Sequence, residues 1–160
     1  MNRILTYCFL IVQAILLSCN DGYDPKPNTY SKLLTGEQKK SWILIGIQFR
    51  EDGKPLQSFE VTADDCAYDD LYVFYANDER KFEIDEGAST CDPADPQIFL
   101  TDSWALVNAT ATLEFIIPVL VPFKLPYIIH DLTKDKLVVE IYFNEEKHSY
   151  RMIFESVTSD

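Results

Sequence analysis

The chain has 160 residues, a net charge of −12 and an isoelectric point of about 4.5. That length bounds it to one domain with a sizeable core. With 14 Lys and Arg against 26 Asp and Glu, the balance of charge argues against nucleic acid as a partner, because a phosphate backbone demands clustered basic residues.

The first element is a leader. Residues 4–15 form a mostly apolar run after a single basic residue, Arg3, and end on Leu16-Leu17-Ser18-Cys19. The run is too short to cross about 30 Å of hydrocarbon at 1.5 Å per residue and is interrupted by Tyr7 and Gln13. A small residue followed by cysteine is the layout of a bacterial lipoprotein signal peptide over residues 1–18. The Cys19 thiol then accepts a diacylglyceryl group, and cleavage before Cys19 frees an amine for a further acyl chain. Each buried CH₂ contributes about 0.8 kcal/mol, so two or three chains anchor stably where one is marginal. The expected partner is therefore the membrane, reached through the lipid. The expected location is the outer membrane, with the domain facing either the periplasm or the cell surface. Losing Arg3 with the leader would take the net charge to −13.

Residues 19–34 read as a tether. They carry Gly22, Pro25, Pro27 and several Asn and Asp, and too few apolar residues to fold alone. A single helical turn is expected within 31–41. The remainder, 35–160, reads as one β domain. With Cys8 removed and Cys19 lipidated, Cys66 and Cys91 remain. In an oxidising compartment an even pair is expected to form a disulfide, stabilising the fold by roughly 3–4 kcal/mol over a loop of about 25 residues. Two free thiols or a metal site are the alternatives, although no further Cys or His flanks the pair.

From residue 42 the hydropathy alternates with a period of two, which predicts a strand with Ile43, Ile45 and Ile47 inward. Glu51-Asp52-Gly53-Lys54-Pro55 is a turn, and a short strand is expected near 58–62. Strands follow over 69–76, 81–86, 99–107, 112–117, 125–132, 136–143 and 149–157. In the fourth of the series Phe82 and Ile84 point inward, with Lys81, Glu83 and Asp85 outward. The later inward sets are Leu137, Val139, Ile141 and Phe143, then Tyr150, Met152 and Phe154. Eight or nine short strands joined by tight turns predict an all-β, antiparallel up-and-down meander. Sequential hairpins favour a closed eight-stranded barrel over a sandwich, because closure removes exposed edges.

Several motifs then carry a family resemblance. Leu33-Leu34-Thr35-Gly36 precedes Lys40-Ser41-Trp42-Ile43-Leu44. Next come Asp65-Cys66, Asp69-Asp70-Leu71-Tyr72-Val73-Phe74 and Phe82-Glu83-Ile84-Asp85-Glu86-Gly87. Thr90-Cys91-Asp92-Pro93 and Ser103-Trp104-Ala105-Leu106 complete the order. Over residues 33–157 the chain resembles the lipocalin-like domains of Bacteroidota lipoproteins. The resemblance implies an eight-stranded lipocalin-like (calycin) barrel with Trp42 plugging the closed end and a Cys66–Cys91 disulfide. It implies little about activity.

Candidate sites are few. Residues 116–129 hold Pro118, Pro122 and Pro126 among large apolar side chains, poor material for a central strand. An apolar loop over the barrel mouth would place Val119, Leu120, Phe123 and Tyr127 against a small apolar ligand; packing or a protein contact is the plainer reading. Asp64, Asp65, Asp69, Asp70, Asp92 and Asp95 surround the cysteines without the spacing of a calcium loop, so no metal is expected. His130 and His148 accompany no recognisable nucleophile, so no catalytic residue and no cofactor are expected. The sequence thus predicts a lipid-anchored, non-enzymatic module. It would bind a small apolar ligand or an envelope protein, or serve as a structural accessory with a filled barrel. The large inward side chains favour the filled interior.

Overall fold

The computed structural model describes residues 28–59, 66, 68–109 and 111–157. The leader, Cys19, the first part of the tether, and Asp64 and Asp65 lie outside the described residues. Helix α1 spans Asn28–Thr35 and so includes residues that composition assigned to the tether. It forms because Leu34 is fully buried, with Tyr30 and Leu33 packed against the core beside it. Gly36 ends it in the left-handed region (φ +64°) and donates its N–H to the Lys32 carbonyl at 2.8 Å.

Ten strands follow: β1 (Lys39–Glu51), β2 (Gln57–Phe59), β3 (Leu71–Tyr75), β4 (Lys81–Asp85), β5 (Ile98–Ser103), β6 (Ala105–Val107), β7 (Thr112–Ile117), β8 (Val121–Leu132), β9 (Lys136–Phe143) and β10 (His148–Val157). Their order is β5-β4-β3-β1-β10-β9-β8-β7-β6, with β2 appended to β1 and every described ladder antiparallel. The two ends of that order, β5 and β6, are joined through Trp104 alone. The sheet therefore curls into a nearly closed barrel.

Ten strands stand against the eight or nine expected. The short strand expected near 58–62 is present as β2, which pairs only with β1. The predicted 99–107 strand is split at Trp104, whose N–H donates to the Arg80 carbonyl (2.8 Å) and whose Nε1–H donates to the Tyr75 carbonyl (3.0 Å). The first bond carries the β4–β5 register one residue past Ser103, the second ties the indole to β3, and from Ala105 the chain pairs with β7 instead.

The phase of β1 also departs from the simple alternation. Trp42 and Leu44 are buried, whereas Ile45 is 43% exposed. The β1–β10 register shifts between Leu44 and Gly46, and beyond it Ile47 faces Met152 and Phe49 faces Tyr150. One extra residue thus exchanges the two faces of the strand. The inward prediction fails at Ile43 and Ile45 and holds at Ile47, which packs on the core. Trp42 sits at the base as expected. It is fully buried, its Nε1–H donates to the Leu34 carbonyl (2.9 Å), and the Lys40 ammonium lies 4.2 Å from its ring centre.

The proline-rich segment is strand from Val121 rather than an irregular loop. β9 pairs with β8 only from Ile128 onward, while β7 pairs with it from Val121 to Ile128. Pro122 and Pro126 therefore lie where β8 has a ladder on one side, the position at which a missing N–H is tolerated. Inside the barrel, Tyr72, Phe74, Phe82, Phe115 and Phe154 are at most 1% exposed. Their ring centres lie 4.9–6.5 Å apart in tilted and edge-on pairs. Such burial drives folding, and aromatic geometry adds about 0.5–1.5 kcal/mol per pair.

Glu83 corrects another expectation. It is buried rather than solvated, because Lys81 pairs with it at 2.5 Å and the Tyr75 hydroxyl donates to it at 2.5 Å. At the mouth, Cys66 and Cys91 form the predicted disulfide, with their Cα atoms 5.2 Å apart. Beside it, Gly87 (φ +68°) lies so close to the chain that a Cβ would sit 2.2 Å from the Asp69 carbonyl oxygen. Asp69 Oδ2 clamps the same turn, accepting from the N–H of Ala88 (3.1 Å) and the N–H and hydroxyl of Ser89 (2.8 and 2.7 Å).

Gly87→Ala should cost about 2–4 kcal/mol in denaturant unfolding. Gly53→Ala, with a similar φ of +71° but nothing within 4 Å, should cost about 1 kcal/mol. Reducing the Cys66–Cys91 bond should lower the melting temperature by roughly 10 °C. An unchanged melt, with both thiols already reactive, would contradict the bridge.

Candidate functional site

The barrel has two distinct ends. At the base, β1 begins and β3 and β10 finish beside α1; at the mouth, β1 ends, β10 begins, and the disulfide joins two loops. The four residues proposed for a mouth loop are not brought together. Tyr127 is fully buried inside, with its ring 5.0 Å from that of Phe115. Leu120 packs partly on the core within the β7–β8 turn, its N–H donating to the Ile117 carbonyl (2.9 Å). Val119 is 40% exposed in that turn, and Phe123, on β8, is 57% exposed.

A different aromatic group stands at the mouth. After the β1 bulge, Phe49 faces Tyr150 across the ladder, and His148 faces Phe143. The rings of Phe49, Phe143, His148 and Tyr150 are half-buried, and their contacting centres lie 5.2–6.1 Å apart. Phe59 from β2 adds to the edge at 6.4 Å from Phe49. His148 is a member of this stack. Period-two reading puts Phe49 in phase with Ile47, but only the strand pairing shows which rings it meets.

Four buried polar atoms have no hydrogen-bond partner among the described residues: Asp69 Oδ1, Asp70 Oδ1, Tyr72 Oη and Tyr127 Oη. Burial, followed by the nearby carboxylates of Glu86, Asp69 and Asp85, pushes the Asp70 carboxyl up to about 7. Burial likewise raises both phenols, and the Asp70 charge adds to the rise at Tyr72. Glu86 itself is buried and accepts from the Cys91 N–H at 3.1 Å, tying this acidic corner to the disulfide. Among the described residues no group of three or more His, Cys, Asp or Glu side chains is arranged to hold a metal ion.

On the outer wall, Glu140 is the hub of a charged network spanning four strands. Arg151 donates to its Oε2 from Nε (3.1 Å) and from a guanidinium nitrogen (2.7 Å), while Arg50 donates to Oε1 at 3.1 Å. His130 Nε2 lies 2.7 Å from Oε2, which assigns that histidine a structural partner. Burial would raise the Glu140 carboxyl, but the bonds from Ser149, Arg151 and Arg50 outweigh it and hold it down to about 2.

Fold and interior together define a small, nearly closed antiparallel barrel with a buried aromatic core, consistent with the lipocalin-like (calycin) architecture and with a binding or structural module. No protein-family model matches the chain, and no curated protein matches it.

The two displaced carboxyls act on stability in opposite directions. Glu140 is depressed on folding, so its contribution of about 2–3 kcal/mol is present above pH 4.5 and is lost as pH falls toward 2. Asp70 is raised on folding, so its protonated form favours the native state below about pH 4. That advantage, a few kcal/mol, is lost as pH rises through 7. Urea unfolding from pH 3 to 8 should therefore show maximum stability at about pH 4–5. Asp70→Asn should flatten the alkaline limb; a variant retaining the full decline above pH 5 would contradict the assignment.

Proposed function

We propose that this protein is a lipid-anchored, non-enzymatic accessory module of the bacterial envelope, built on a filled lipocalin-like barrel that takes no small-molecule ligand into its interior. The observation that carries the reading is the stack of fully buried rings from Tyr72 to Phe154, which occupies the space a ligand-binding barrel keeps open. Support for the anchor comes from the sequence, in the apolar run that ends on Ser18-Cys19. On this reading the leader is removed, Cys19 carries the acyl chains, and residues 20–27 join them to α1. The resemblance to Bacteroidota lipoproteins supports an outer-membrane location, with the domain in the periplasm or at the cell surface.

A second reading, a binding module, is favoured by one specific observation. The half-buried rings of Phe49, Phe143, His148 and Tyr150 form an aromatic rim on which a small apolar ligand could rest.

Native mass spectrometry of the folded chain separates the two readings. The accessory role predicts the mass of the bare polypeptide plus its acyl groups, with the rim residues unprotected. A co-purifying small molecule released by Phe49→Ala or Tyr150→Ala would favour the rim. Cys19→Ala should shift the protein from the membrane pellet to the soluble fraction; retention in the pellet would refute the anchor.

A further inference from the structure

At the base of the barrel a cleft of about 240 Å³ opens between α1, the start of β1 and the β8–β9 turn. Four of its eight lining residues are lysines, Lys32, Lys39, Lys40 and Lys134; Gly36 and Ser41 are also part of the wall, and no lining residue is acidic. This concentration occurs in a chain whose net charge is −12. We propose that this cleft is an anion site that binds a phosphate group.

The four ammonium groups differ in how far they are already committed. Lys40 is structural. Its Nζ donates to the Leu33 carbonyl (3.0 Å) at the end of α1 and to the Lys134 carbonyl, and it lies over the Trp42 ring. It thereby satisfies a helix carbonyl that would otherwise lack a donor. Burial lowers its pKa, Asp135 opposes that shift and Lys134 adds to it. Lys32 pairs with Glu37 at 2.6 Å, but both side chains are well exposed and such a pair contributes little.

Lys39 and Lys134 make no ion pair among the described residues; the Lys39 ammonium lies 5.6 Å from the centre of the Tyr75 ring, and its charge reaches the Glu83 carboxylate. Lys134 lies near enough to lower the pKa of Lys40, the cation that backbone carbonyls fix in place, and Lys39 contributes to the same wall. Like charges held together in this way repel, and a bound dianion relieves the repulsion while accepting hydrogen bonds from several ammonium donors. The partly enclosed walls sharpen the field relative to open surface. A phosphate group is small enough for the cleft and carries the charge and acceptor oxygens to match it. Two sources present that chemistry, a phospholipid headgroup and a soluble phosphoryl compound. The site stands independently of the lipid at Cys19.

The test is a titration of the ¹⁵N-labelled full chain with inorganic phosphate, with total ionic strength held constant by chloride. Amide shifts of Gly36, Lys39, Lys40 and Lys134 should move together and saturate. The double variant Lys39→Gln/Lys134→Gln, which removes no ion pair seen among the described residues, should weaken binding by about tenfold with an unchanged melting temperature. Sedimentation with phosphatidylglycerol vesicles against phosphatidylcholine vesicles, using the Cys19→Ala chain, identifies the source. Retention on the anionic vesicles that is lost in the lysine double variant supports a headgroup; saturation by free phosphate without vesicle retention supports a soluble phosphoryl compound. Shifts that stay linear, that chloride reproduces, or that persist unchanged in the double variant would overturn the site.

Discussion

The ladder between β1 and β10 closes this barrel, and the side on which every other residue falls depends on the phase in which those two strands meet. β1 also carries β3 and β2, so it is the seam of the molecule. A strand with both ends in register would have sent Trp42, Leu44 and Gln48 to one face and Ile43, Ile47 and Phe49 to the other. The shift at Leu44–Gly46 instead places Trp42 and Leu44 inside at the base, and Ile47 and Phe49 inside toward the mouth. The bulge strengthens local twist where the sheet must curve, and it leaves Ile45 in solvent.

Given that closure, the interior is a fixed volume, and bulky rings take it up. The polar exceptions are informative because low dielectric makes each one costly. Outside, Glu140 draws two arginines and a histidine into one network and remains ionised. Inside, Asp70 has no such partner and is pushed toward its neutral form by burial and by its acidic neighbours. The same carboxyl chemistry thus meets opposite fates on the two sides of one wall. The mouth bears most of the local constraint: the disulfide, the Asp69 clamp, the Gly87 turn and buried Glu86 all meet there.

Net charge is a poor guide to the base of the barrel. A total of −12 argues against a nucleic-acid surface, yet it averages over the molecule. The β8–β9 turn is far in sequence from α1 and β1, and its convergence with them gathers four lysines into one cleft of an acidic protein. Lys40 shows how structure and charge are joined there, since it caps the helix, covers Trp42 and defines the cleft wall.

Much of the architecture was legible in the chain because β-structure writes itself in period-two alternation. The β9 and β10 positions, the pair Phe82 and Ile84 and the cysteine pair could all be read from side-chain type and spacing, whereas the plug at Trp42 came only as an implication of the family resemblance. The proline-rich segment misled because proline argues against a central strand; only the sheet order shows that β8 is paired on one side there. The strand break at Trp104 and the phase change at Gly46 were equally hidden, since both depend on which backbone groups meet across the barrel. The aromatic rim, the orphan hydroxyls of Tyr72 and Tyr127, the Glu140 network and the lysine cleft each unite residues from several strands. Alternation along one strand determines which residues seek the interior, whereas only closure of the whole sheet decides which of them meet, because those contacts run between segments distant in sequence.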